Sequence, residues 1–144
     1  MKITYLLLLF KRISDLFLSS FSIIFLLPFL LIISILIILD DGFPVLFTQK
    51  RIGYKNKIFK MYKFRSMFNH SEKLGTGYFC YEGDKRITNV GKVIRALSLD
   101  KLPQLFNIFF GDMSFVGPRP AIYDELENED IKTYLYPVIE ERTK

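Results

Sequence analysis

Tryptophan is absent, and the 144 residues hold one cysteine, Cys80, and one histidine, His70. A single cysteine forms no internal disulfide, so a disulfide-braced secreted scaffold is excluded. One cysteine with one histidine cannot supply the four ligands of a structural zinc site. A glycine-rich dinucleotide fingerprint is also missing, since Gly75-Thr-Gly77 is too short a signal. Disorder is excluded from the opposite side, because half the residues are hydrophobic and 16% are aromatic. The length suits one domain, or one domain with an appendage.

The net charge of +5 hides an uneven distribution. Residues 1–41 carry three basic and three acidic side chains, and residues 42–95 carry twelve basic and three acidic. Residues 96–120 balance, and residues 121–144 are net negative by four. A neutral apolar start, a basic middle and an acidic tail follow one another along the chain.

Ile13 to Leu39 is almost wholly apolar over 27 residues, interrupted by Asp15, a few serines and Pro28. About 20 such residues cross a bilayer core as a helix. A buried core helix fits poorly, because the rest of the chain is too short to cover it on all sides. A cleaved leader fits poorly too, because Lys11 and Arg12 follow Ile3–Phe10 at once and no small-residue cleavage site appears. Positive charge flanks the run on both sides: Lys2, Lys11 and Arg12 before it, Lys50 to Arg65 after it. Both flanks therefore favour the cytoplasmic side. A re-entrant hairpin that bends at Pro28 satisfies both, since Pro lacks an N–H and clashes with the preceding turn. A kinked spanning helix is the other reading.

Asp40-Asp41-Gly42 ends the run with a turn signal. Val45–Thr48 and Ile58–Phe64 then read as strands, with Gly53-Tyr-Lys-Asn-Lys between them as a hairpin turn. Basic residues alternate with aromatics throughout this stretch. It is a solvated basic face, a nucleic-acid surface, or a surface for anionic headgroups and phosphorylated substrates. The apolar run beside it favours the last and argues against nucleic acid. Ser71–Gly83 reads as a polar connection without chemistry, and Cys80 and His70 as incidental.

The chemistry concentrates in residues 84–120. Val90–Ala96 is a helix candidate. Ser98 is the expected N-cap of a second helix whose apolar face is Leu102 to Phe109. Asp100 then falls in a first turn, where a carboxylate is favoured whatever else it does. In Gly117-Pro-Arg-Pro, Pro118 and Pro120 restrict Arg119 and lower the freedom it loses on binding a phosphate. Arg95 is a second candidate cation. One carboxylate with two arginines could handle a diphosphate, and a divalent metal is expected to bridge carboxylate and phosphate oxygens.

Taken in order, these motifs resemble the bacterial sugar transferases, the monotopic phosphoglycosyl transferases. The match is carried by Lys11-Arg12 with Asp15, the apolar run broken by Pro28, and Gly42 to Phe47 with Gln49, Arg51 and Gly53. It continues through Tyr62-Lys-Phe-Arg-Ser-Met67, Asp84 with Arg86-Ile-Thr88, Gly91, Arg95 and Ser98-Leu-Asp100. Leu102-Pro-Gln104, Asn107, Gly111-Asp-Met-Ser114 and Val116-Gly-Pro-Arg-Pro120 complete it. The resemblance implies transfer of a phospho-sugar from a UDP-sugar to a polyprenyl phosphate, with release of UMP. It also implies a re-entrant membrane helix, magnesium, and a covalent intermediate on Asp100, which is the expected metal ligand as well. Arg95, Pro118, Arg119 and Pro120 match substrate positions, and Pro28 matches the helix break.

The sequence departs from the family pattern at three places. Lys101 stands where the family has a Glu after the Asp, which removes a group able to accept a proton near neutral pH. Leu27 precedes Pro28 where many members carry a polar residue. The chain also ends at Lys144, which reads as a C-terminal truncation. A catalytically impaired relative and a membrane-surface adaptor built on the basic middle are therefore the alternative readings. The expected fold is mixed α/β and mostly helical. Residues 1–41 form the re-entrant membrane region. Residues 42–144 form a domain of interfacial helices and a short β-hairpin on the cytoplasmic face of the bacterial inner membrane.

Overall fold

A computed structural model of the chain describes residues 2–53, 57–69, 71 and 84–123, with side chains from Leu6 onward. The tip of the hairpin turn, His70, most of the Ser71–Gly83 connection with Cys80, and the acidic tail from residue 124 onward lie outside the described residues.

The apolar run and its flanks form one helix, α1, Lys2–Asp41, and its assignment continues through Pro28. Ser14, Ser20 and Ser34 each donate to the carbonyl four residues back, and Ser19 to the one three back. These four hydroxyls are thereby satisfied within the helix, as a non-aqueous surrounding demands. Only 17% of its most hydrophobic window is buried inside the protein. Ile24, Phe25 and Leu39 are each about three-quarters exposed. The core-helix reading fails on that exposure, and α1 is long and apolar enough to cross a membrane.

Strands β1, Leu46–Ile52, and β2, Ile58–Phe64, form the expected hairpin. A third strand, β3, Ala121–Ile122, adds to the far edge of β1, giving the order β2-β1-β3. It runs antiparallel, with Arg51 opposite Ile122 and Ile52 opposite Ala121. Helices α2, Asn89–Ala96, and α3, Gln104–Phe110, follow the hairpin in the chain. The fold is mixed helix and sheet.

One expectation is corrected here. Ser98 caps no helix: it sits at φ 57° with no side-chain cap bond, and Leu99–Lys101 forms a short 3-10 turn. The cause is Pro103. Without an N–H it cannot continue an α-helical ladder from Ser98, so Leu102 N closes a tighter turn onto Leu99 O at 3.1 Å. The next helix starts only after the proline. Asp100 therefore lies in the 3-10 turn.

The described residues divide into two compact units. The first contains α1 through Phe25, Thr48–Tyr62 and the chain from Gln104 onward. Asn107 is fully buried at its centre. Its Oδ1 accepts from Tyr62 N at 2.9 Å, and its Nδ2 donates to Lys60 O at 2.7 Å and to Asp112 Oδ2 at 3.2 Å. One amide thus ties α3 to β2 and to the turn after α3, with both halves of its polarity satisfied. The second unit contains Leu26–Phe47 and Lys63–Pro103. Leu30, Ile33 and Ile37, spaced on one face of α1, form its apolar core with Phe64 and Ile94.

Candidate functional site

In the first unit, a cleft of about 380 Å³ is walled by α1 on one side and by residues 111–121 on another. The side chains of Lys11, Arg12 and Asp15 fix that second wall. Arg12 donates from Nη1 to Ile108 O and from Nη2 to Phe109 O, each at 2.8 Å. It thereby caps the carbonyl end of α3, where positive charge is favoured. Gly111 has φ +94°, and a Cβ there would stand 3.0 Å from Arg12 Nη2. Glycine is required at that position both for the left-handed turn and for the guanidinium lying over it. Lys11 Nζ donates to Val116 O at 2.6 Å, and the buried Asp15 accepts from Phe115 N at 3.3 Å.

The far end of this wall is held by the sheet. The buried Arg51 donates to Pro120 O at 2.9 Å and to Gln49 Oε1 at 2.8 Å. β3 begins one residue later. Pro118, Arg119 and Pro120 thus all line the cleft, with Arg119 exposed and without a partner among the described residues. Its backbone is restrained by proline on both sides, by the Arg51 bond and by the β1 pairing. Among the described residues, none takes a donor of its guanidinium.

In the second unit, Thr88 Oγ1 caps α2 by accepting from Gly91 N at 2.9 Å. A Cβ on Gly91 would stand 2.0 Å from Ser66 O, so α2 reaches this distance from the 65–67 backbone only with glycine there. One turn further along the same face, Arg95 Nε donates to Ser66 Oγ at 2.6 Å. Arg95 is half-buried and held in direction.

Asp84 is buried and takes both nitrogens of a guanidinium edge: Arg86 Nε at 3.0 Å from Oδ1 and Nη2 at 2.7 Å from Oδ2. Arg86 also donates to Ser71 O at 3.2 Å. The side-chain hydrogen bonds from Arg86 hold the Asp84 carboxyl below its ordinary value, against an opposing push from burial. The Arg86 backbone N–H and the charges of Arg86 and Arg95 act in the same downward direction. At the end of α1, Arg65 donates to Asp41 O at 2.9 Å and Gly42 O at 2.7 Å. Its Nη2 also lies 3.2 Å from Asp41 Oδ2 as an ion pair. Asp40 Oδ2 accepts from Val90 N at 2.9 Å.

Asp100 has 16% of its side chain exposed, and Lys101 Nζ lies 3.4 Å from its Oδ1. That separation is longer than a charge-assisted hydrogen bond of about 2.8 Å, and the lysine is half exposed, so the contact is loose. The other carboxylate oxygen has no partner among the described residues. Among those residues no three His, Cys, Asp or Glu side chains gather as a metal cluster. The donor set fits only a cation held mainly by the oxygens of its ligand, with the open oxygen of Asp100 as the protein's share.

Of the residues singled out in the sequence, Arg95 and Asp100 belong to the second unit, with Pro28. Pro118, Arg119 and Pro120 belong to the first. In the sequence Lys11, Arg12 and Asp15 stand out only as charges at the start of the apolar run and as part of a resemblance, yet they line the cleft. The available signal was charge at positions 11, 12 and 15, which share a helix face at the edge of an apolar run. Ser66 and Asn107 give no such signal, because their roles depend on partners 29 and about 45 residues away.

The family model described as bacterial sugar transferase matches residues 6–143. The chain is 44% identical over 129 residues to a UDP-N-acetylgalactosamine-undecaprenyl-phosphate N-acetylgalactosaminephosphotransferase of Aeromonas hydrophila, covering 88% of this chain and 30% of that protein. It is 43% identical over 113 residues to a UDP-glucose:undecaprenyl-phosphate glucose-1-phosphate transferase of Klebsiella pneumoniae, covering 77% of this chain and 24% of that one. To the exopolysaccharide production protein ExoY of Rhizobium meliloti it is 39% identical over 140 residues, covering 88% and 62%. The chain thus spans less than a third of the first two relatives. A match across residues 6–143 that includes the cleft, the Ser66–Arg95 pair and Asp100 makes this chain a member of the bacterial sugar transferase family.

Proposed function

We propose that the chain transfers a sugar phosphate from a UDP-sugar to a polyprenyl phosphate, at the cytoplasmic face of the bacterial inner membrane, in the first step of a surface polysaccharide. The observation that carries this reading is the family match over residues 6–143, whose relatives are named as undecaprenyl-phosphate sugar phosphotransferases. The oriented cations Arg95 and Arg119 support it, since a diphosphate donor and a phosphate acceptor both need positive charge that is already in position.

In this reading a carboxylate oxygen of Asp100 attacks the sugar-linked phosphorus of the donor. The bond from that phosphorus to the bridging oxygen breaks, and UMP leaves with the electron pair. An oxygen of polyprenyl phosphate then attacks the same phosphorus and expels the Asp100 carboxylate. Splitting the transfer lets a soluble donor and a lipid acceptor use one centre in turn. Arg95, held by Ser66, and Arg119, held between its prolines, offset phosphate charge. Magnesium arriving with the diphosphate would be held by the open Asp100 oxygen and would neutralise charge on the phosphates. Lys101 contributes a cation beside the nucleophile and no proton acceptor.

We read α1 as re-entrant. A straight 40-residue helix is about 60 Å long, twice the hydrocarbon core. Lys11 and Arg12 near one end and Asp40 and Asp41 at the other are each engaged by polar-segment residues of their own unit. A bend at Pro28 accommodates both. An adaptor without enzymatic activity gains no support from the relatives. The test is UMP release by the full chain in detergent, with magnesium and a panel of UDP-sugars, in the absence of acceptor. A burst of about one UMP per chain, absent in Asp100→Asn, is expected. No release from any donor would overturn the reading, and recovery only in Lys101→Glu would mean a member disabled at that residue.

A further inference from the structure

Resting on that reading, we infer that Lys101 couples metal entry to donor binding: its ammonium keeps a free divalent cation off Asp100 and moves to the donor's diphosphate once the donor arrives. Both residues sit on a turn that is tied down at each end. Ser98 N donates to Arg95 O at 3.0 Å, Leu102 N closes on Leu99 O at 3.1 Å, and the Pro103 that follows is fully buried. Successive side chains of a 3-10 turn diverge by about 120°. The lysine therefore meets Asp100 only because its stem folds back, to 3.4 Å from Oδ1. No other described residue bonds to the Asp100 carboxylate.

In the free chain this pairing works against a metal. The carboxylate and the ammonium cancel in charge, and among the described residues no set of three His, Cys, Asp or Glu side chains is present to outweigh the lysine. A magnesium-like cation usually takes one or two carboxylates and completes its shell with water and substrate phosphates. Here one carboxylate is on offer, and a like charge stands beside it. A diphosphate reverses the balance, since it brings oxygens and negative charge for metal and ammonium together. The lysine is built to respond. Its side chain is 52% exposed, and its contact with Asp100 is longer than a charge-assisted bond of about 2.8 Å. Its three N–H groups turn on a flexible stem. Its departure uncovers Oδ1 only when the donor's phosphorus is at hand.

The test uses manganese(II) as the metal probe and methylene-bridged UDP, which cannot release UMP, as the donor stand-in. Metal binding to the full chain in detergent is read by electron paramagnetic resonance, and nucleotide binding by calorimetry. Without nucleotide, the parent should hold manganese about ten-fold more weakly than Lys101→Glu, whose charge is reversed. With the analogue present, the parent should hold about one ion per chain. Lys101→Met keeps the stem and loses the charge. Its affinity for the analogue should fall about ten-fold, the worth of one hydrogen bond between charged groups, and Lys101→Arg should recover most of it. Manganese held by the parent without nucleotide as tightly as by Lys101→Glu would overturn the inference. So would an unchanged affinity of Lys101→Met for the analogue. Both are read without turnover. A chain that shows the expected binding and releases no UMP from any UDP-sugar would remove the transferase reading and leave the assignment of Lys101 standing. Normal UMP release with either overturning result would remove the assignment alone.

Discussion

Arg95 Nε donates to Ser66 Oγ at 2.6 Å, joining the last turn of α2 to the residue that follows Arg65 at the end of the hairpin. The bond sets the direction of a cation that the proposed reaction needs. Ser66→Ala removes the only atom change that matters here, the hydroxyl. We expect UMP release to fall about ten-fold, with a stability loss of about 1 kcal/mol. Ser66→Thr should recover most of the rate, and an unchanged rate in Ser66→Ala would show that Arg95 needs no such support.

Gly91→Ala tests how closely α2 lies against the same backbone. The added methyl would meet Ser66 O at 2.0 Å, and that neighbour is main chain that cannot swing aside. Thermal unfolding in detergent should show a loss of about 3 kcal/mol, the upper end of ordinary overpacking. A variant as stable as the parent would mean that α2 can retreat without cost.

Arg12→Met keeps the apolar stem and removes the fork. Two carbonyls at the end of α3 then lose a charged donor, and about 2 kcal/mol should follow. Arg12→Lys should recover less than half, because an ammonium cannot reproduce a planar fork across two carbonyls. Urea unfolding of the three proteins measures both.

Asp84 carries a pH dependence whose sign is fixed by its lowered carboxyl value. The ordinary value is 3.8, and Arg86 lowers it in the folded chain. The folded state therefore holds its proton less tightly than the unfolded one. The contribution is full above the ordinary value and is lost as pH falls through the folded value. Melting temperature measured from pH 7 to pH 3 should drop in the parent below about pH 4. Asp84→Asn should start lower at pH 7 and lack that part of the drop. Parallel curves would remove Asp84 from the account.

The sequence legible without a structure reached far in some places. Ile58–Phe64 is apolar-basic alternation at a strand period and is β2 to the residue. Val90–Ala96 reads as a helix and is one, extended by one residue to the Thr88 cap. The proline pair around Arg119 already states a restrained cation. Where the reading failed, a second local rule won: Ser98 looks like a cap, but Pro103 five residues later forces a 3-10 turn instead. β3 could not be seen at all, since a two-residue strand has no period and exists only because β1 offers it an edge.

By itself the sequence determined the apolar helix, the basic middle, the restrained Arg119 and the family, because composition, local sterics and ordered motifs need no partner in space. Only the tertiary structure decided that Lys11, Arg12 and Asp15 face residues 108–116, that Ser66 aims Arg95, and that Asn107 locks α3 to β2. Each of those is a hydrogen bond between residues far apart in the chain. Its donor and acceptor carry no mark of one another until folding removes water from between them.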